Sequence, residues 1–106
     1  MPWIYLTVAG FFEIVWAFSM KQSDGFTRPV PTIITVAAMI ASFALLSLSM
    51  KSLPLGTAYT IWTGIGAVGA FVVGIAWLGE TASAMRIVAA LLIVSGLVLM
   101  KISAPA

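Results

Sequence analysis

Four long apolar runs, at about residues 3–20, 31–50, 57–78 and 84–100, dominate this chain of 106 residues. Each is close to the roughly 17–25 residues that an α-helix needs to cross a bilayer. Only short polar connections lie between them, which leaves no room for a water-soluble catalytic domain. The sequence therefore predicts an all-α integral membrane protein, with a single domain of four transmembrane helices over residues 1–106. Charge points the same way. Five basic side chains (Lys21, Arg28, Lys51, Arg86 and Lys101) and three acidic ones (Glu13, Asp24 and Glu80) make up 8% of the chain, where a soluble domain carries about 25%. That excludes a disordered chain, a water-soluble monomer and a nucleic-acid binder. The sequence has no Cys and no His, which removes disulfides, thiolate nucleophiles, His bases and the usual zinc sites. Neither a metal nor a cofactor is expected.

The connections carry stop and start signals. Lys21–Arg28 holds an Asp24-Gly25 turn signal, and Pro31 suits the first turn of the second helix. The second connection, Lys51–Gly56, contains Pro54. The third, Gly79–Ser83, opens with a helix-ending glycine and ends with Ser83 as N-cap for the last helix. Because all three are tight, consecutive helices are expected to be antiparallel neighbours. The first run reads as a span and not as a signal peptide, since it lacks a basic leader and has an acid in its middle.

Four spans put both termini on one side, with Lys51 and Lys101. Lys21, Arg28 and Arg86 fall on the other. So even a split gives the positive-inside rule little to act on. Two readings stay open: insertion both ways with pairing as an antiparallel dimer, or one orientation set by a signal outside the charge count.

Glu13 lies near the middle of the first span, hence near the bilayer midplane. An acid there costs about 2.5–3.5 kcal/mol on insertion scales, and such groups usually mark an ion or proton path. The alternatives are a protonated Glu that only bridges helices, or a helix end wet enough to solvate it. Helical spacing places Ala9, Gly10, Trp16 and Ala17 on the face of Glu13. Met39 and Ser42 share a stripe of the second span. Tyr59, Trp62, Thr63 and Gly66 share one of the third. Trp16, Ser42, Tyr59 and Trp62 supply N–H and O–H donors that could orient a carboxylate, although Trp and Tyr also form interfacial belts. Burial disfavours the charged carboxylate, while donors and a bound cation favour it. Protons and a cation can then compete for one group.

Gly64-Ile65-Gly66-Ala67-Val68-Gly69 matches the dinucleotide-binding pattern of glycines but sits inside a span, without the strand and acidic partner that such a site requires. The glycines instead suggest a kink at Gly64 and Gly66, or close helix packing. In the fourth span, Ala89, Leu92, Ile93, Gly96 and Leu99 form a small apolar stripe that is assigned to a dimer contact, the alternatives being the chain's own bundle or lipid.

Three segments together have a family likeness: Gly10-Phe-Phe-Glu13, the loop Lys21…Ser23-Asp-Gly-Phe-Thr-Arg28, and Pro54-Leu-Gly-Thr-Ala-Tyr59-Thr-Ile-Trp62-Thr-Gly-Ile-Gly66. On these the chain resembles the small multidrug resistance family over essentially its whole length. Trp16, the Thr63–Gly69 run and Lys101 resemble the guanidinium-exporting subtype. Thr60 and Gln22 depart from its pattern. The resemblance implies an antiparallel homodimer in a prokaryotic-type inner membrane, with Glu13 of both chains forming one site. Trp16, Ser42, Tyr59 and Trp62 would position the carboxylates, Gly10 would leave space, and Met39 would line the pocket with Thr63.

Guanidinium chemistry suits the residues independently, because a planar, forked cation pairs bidentately with carboxylates. The expected function is export of guanidinium, or a small substituted guanidinium, in exchange for protons. The alternative within the same fold is a broad exporter of quaternary ammonium compounds. A third class is a membrane interaction protein in which Glu13 is structural glue. A channel is disfavoured by the lack of a continuous polar lining, and an enzyme by the lack of a nucleophile–base pair.

Overall fold

Prolines and glycines decide where the helices begin and end. The computed structural model describes residues 2–103. It comprises α1 (Pro2–Gln22), α2 (Pro29–Ser49), α3 (Leu55–Leu78) and α4 (Ala84–Ile102), with no strand among the described residues. At 1.5 Å per residue these helices are about 28–36 Å long, and all four are apolar enough to cross a bilayer. The expected all-α four-span architecture is what the chain adopts.

Pro29 and Pro31 both fall in the first turn of α2, where a missing N–H costs nothing. Ser83 caps α4 by accepting a hydrogen bond from the Arg86 backbone N–H at 3.2 Å. Gly79 ends α3 in the left-handed region at φ 68°, a conformation that suits a residue without Cβ. The first loop turns more sharply than its Asp24-Gly25 pair implied, because Phe26 also has a positive φ of 65°. Ser23, fully buried, steadies it by donating to the Met20 carbonyl and accepting from the Phe26 N–H.

The helices pack as a flat slab, with extents of 43 × 34 × 16 Å. Here the neighbour relations depart from the expectation drawn from short loops. α1 packs extensively on both α2 and α3, whereas α2 and α3 approach each other closely only over a few residues. The reason is side-chain size: α1 and α3 meet through bare glycines, while α2 reaches α3 mainly through longer side chains. The buried core is Leu6, Ala9, Leu46, Leu53, Ala58, Ile61 and Trp62, drawn from α1, α2, α3 and the second loop. α4 packs chiefly on α3 and buries no residue completely.

Candidate functional site

α2 and α3 contain no charged residue, and the other charges of α1 and α4 (Lys21, Arg86 and Lys101) lie in terminal turns. Glu13, halfway along α1, is thus the one charge in a helix interior. What receives it is Gly66 of α3. A methyl group at position 66 would overlap the carboxyl carbon and Oε1 of Glu13. The same seam continues on either side: a Cβ at Gly69 would collide with Ile14, and one at Gly10 would lie 2.5 Å from Ile65. Three glycines therefore let α1 and α3 interlock, and the middle contact of the three is the carboxyl group.

α2 holds α1 in register one turn before the acid. The buried Ser42 hydroxyl donates to the Ala9 carbonyl at 2.7 Å and accepts from the Trp62 indole N–H at 2.9 Å. In an α-helix the carbonyl of residue 9 also accepts from the N–H of residue 13. Ser42 thus grips the turn that ends at Glu13, and Trp62 ties α3 to the same point.

Aromatic rings extend this link. Trp16 meets Phe43 edge-on at 6.4 Å, Phe43 meets Trp62 at 5.7 Å, and Trp62 meets Tyr59 at 5.6 Å. The four rings run from α1 through α2 to α3, at separations typical of favourable aromatic pairs. Among the described residues, two buried polar atoms are left without a hydrogen-bond partner: Oε1 of Glu13 and Nε1 of Trp16. One is an acceptor and the other a donor, and native interiors rarely leave such groups unpaired. A ligand carrying both charge and N–H groups is one way to satisfy the carboxylate.

The sequence-predicted residues are not all gathered around Glu13. Trp16 stands one turn along the same helix. Ser42 and Trp62 bond to each other, and Ser42 alone bonds to α1 backbone; among the described residues no hydrogen bond joins either to the carboxylate. Tyr59 is 53% exposed and Thr63 is also exposed. Both line a groove of about 550 Å³ between α3 and α4. Met39 is half-buried on α2. The space at Gly10 is taken by Ile65, and that at Gly64 by Leu97 of α4. α3 runs as one helix through Gly64 and Gly66. On α4, Ala89, Leu92, Ile93 and Gly96 are all exposed.

Phe43, Ile65, Leu97 and the Ala9 carbonyl were not singled out by sequence. Phe43 had a signal: it is the sole aromatic residue of α2 and adjoins Ser42. The backbone carbonyl had none.

A family model described as Small Multidrug Resistance protein matches residues 1–93. Proteins named guanidinium exporter from Escherichia coli, Citrobacter freundii and Salmonella typhimurium are each 55% identical over 103 residues, covering 97% of this chain and 98% of theirs. A match of that extent, on four membrane-crossing helices with an acid at the centre of the first, places the chain in the small multidrug resistance family.

Proposed function

We propose that this multi-pass membrane protein exports guanidinium, or a small substituted guanidinium, in exchange for protons. The observation that carries the reading is the Glu13 carboxyl: mid-helix, seated on Gly66, with Oε1 unpartnered. The 55% identity to guanidinium exporters supports the substrate. An ionised carboxylate accepts the forked N–H groups of a planar cation. Protonation removes the charge and turns one of the two acceptor oxygens into a donor, so the forked charge-assisted pairing is lost and the cation leaves. Alternation of these two states, coupled to a switch in which face is open, gives antiport.

One carboxylate is a thin site, and we place two in an antiparallel homodimer. Support for a partner comes from α4, which buries no residue in the single chain while Leu92 is 68% and Leu99 66% exposed. Ala89, Leu92, Ile93 and Gly96 then form the contact between copies. At Gly96 an added Cβ would meet nothing, so a second helix can approach closely there. Trp16, Ser42, Tyr59 and Trp62 act as positioning groups, with Gly10, Met39 and Thr63 at the edges of the site. Flexing of α3 at Gly64 and Gly66 would free the carboxyl from its seat. The compartment proposed is the inner (plasma) membrane. Homologues named as exporters point away from an enzyme.

The test is uptake by proteoliposomes under an imposed pH gradient, with guanidinium and a bulky aromatic cation run side by side. Saturable, gradient-driven uptake of guanidinium that Glu13→Gln abolishes is the expected result. Transport of the aromatic cation without guanidinium would favour the broader exporter, and pH-driven guanidinium uptake by Glu13→Gln would refute the role of the acid.

A further inference from the structure

A second cavity, of about 480 Å³, lies between α1, α3 and α4; it shares Ile14 with the α1–α3 seam, and Ala89 and Ile93 of its wall adjoin the proposed contact between copies. Its floor is apolar, with Ile14, Phe18, Phe71 and Ile93, and its mouth carries Lys21, Glu80 and Arg86. The mouth lies at headgroup depth. Lys21 is eight residues beyond Glu13, about 12 Å along the helix axis, and its side chain reaches further outward. The hydrocarbon half-thickness is about 15 Å.

Two of the three charges are held by the fold. Glu80 N–H donates to the Gly74 carbonyl at 3.0 Å, closing the end of α3. Its carboxylate then lies back over the bare Gly74, where a Cβ would come within 2.5 Å of Oε1. The Arg86 guanidinium sits over the Phe71 ring at 5.6 Å, a cation–π contact that fixes its direction. Lys21 comes from the last turn of α1. Two cations and one carboxylate thus ring an apolar hollow in a protein whose solvent is lipid.

From this we infer that the cavity is a binding site for a phospholipid with a primary-amine headgroup. The phosphate accepts hydrogen bonds from Lys21 and Arg86, the lipid ammonium donates to Glu80, and an acyl chain lies along Phe18 and Phe71. A mouth of one sign would suit a purely anionic lipid. The mixed mouth matches a group that carries phosphate and ammonium a few atoms apart, and charge-assisted bonds of this kind are the stronger class.

The test is native mass spectrometry of the detergent-purified, delipidated protein with phosphatidylethanolamine, phosphatidylcholine or phosphatidylglycerol added singly. Wild type should retain phosphatidylethanolamine best. The double variant Lys21→Gln/Arg86→Gln should weaken that retention about tenfold, equivalent to about 1.4 kcal/mol. Glu80→Gln should erase the preference over phosphatidylglycerol while leaving phosphatidylglycerol retention intact. Lys51→Gln, the same charge change at the opposite end of the bundle, should alter nothing. If the double variant does not fold, Lys21→Gln alone carries the test, with a smaller loss in the same direction. Equal retention of all three lipids by wild type, or unchanged retention in the charge variants, overturns the proposal. So does a loss of dimer with lipid retention unchanged, which would make the cavity a contact between copies. Lipid retention and guanidinium transport are separate readouts, so either reading can fail alone.

Discussion

The carboxyl group of Glu13 rests on the backbone of α3 at Gly66, close enough that a single methyl group at 66 would occupy the same space. The acid is therefore an element of helix packing as well as a charge. Gly66→Ala should displace the carboxyl or separate the helices, at a cost of about 1–3 kcal/mol typical of overpacking. It should also weaken guanidinium binding at least as severely as it lowers stability. Gly56→Ala, where an added Cβ meets nothing within 4 Å, is the control and should bind normally. Thermal unfolding in detergent and calorimetric titration with guanidinium measure the two effects.

Ser42 offers a second check. Its replacement by Ala removes the hydrogen bond to the Ala9 carbonyl and leaves the buried Trp62 N–H without an acceptor. Orphaning a buried polar group costs about 1–3 kcal/mol, and unfolding in detergent should shift by that order. Ser42→Thr keeps the hydroxyl and should recover part of the loss. Equal stability of Ser42→Ala and wild type would show that the network does not hold α1 in register.

Gly64 and Leu97 form a pair whose coupling can be measured. Gly64→Ala should destabilise, because the new Cβ meets the Leu97 side chain. Leu97→Ala should also destabilise by loss of packing. The double variant should be more stable than the sum of the two losses predicts, with a coupling energy in the range of about 0.5–3 kcal/mol seen for contacting residues. Additive losses would place the two side chains apart.

How much of this was legible in the sequence follows from the range of each interaction. Helix number came from runs of apolar residues, and the Ser83 cap and the Gly79 terminus came from local backbone chemistry, all within a few positions of one another. The importance of Glu13 was likewise local, since an acid in a membrane helix is costly wherever its neighbours lie. Helical periodicity gives the faces of a helix but not which faces meet. Short loops suggested that α2 would flank α3, yet the glycines of α1 and α3 brought those two helices together with Glu13 between them. For the same reason Trp62 could be assigned a donor but not its acceptor: its N–H goes to Ser42, twenty positions away. Gly64 and Gly66 were read as a kink or a packing surface. Each has a neighbouring side chain placed against it, a close contact that periodicity within one helix could not reveal.

Trp16 separates the role of its ring from that of its N–H. Trp16→Phe keeps an aromatic group to pack on Phe43 but removes the unpartnered donor. Stability should change little, and guanidinium transport should fall several-fold if the N–H orients the site. A variant that transports normally would assign Trp16 to packing alone.

The most direct test of the central claim is proton release on binding. Guanidinium is added to the purified protein in weakly buffered detergent solution at pH values where part of the Glu13 population is protonated. Binding should release protons, and affinity should rise with pH because only the ionised carboxylate accepts the cation. Glu13→Gln should show neither effect. Guanidinium binding that releases no protons at any pH, or release that persists in Glu13→Gln, would contradict the account.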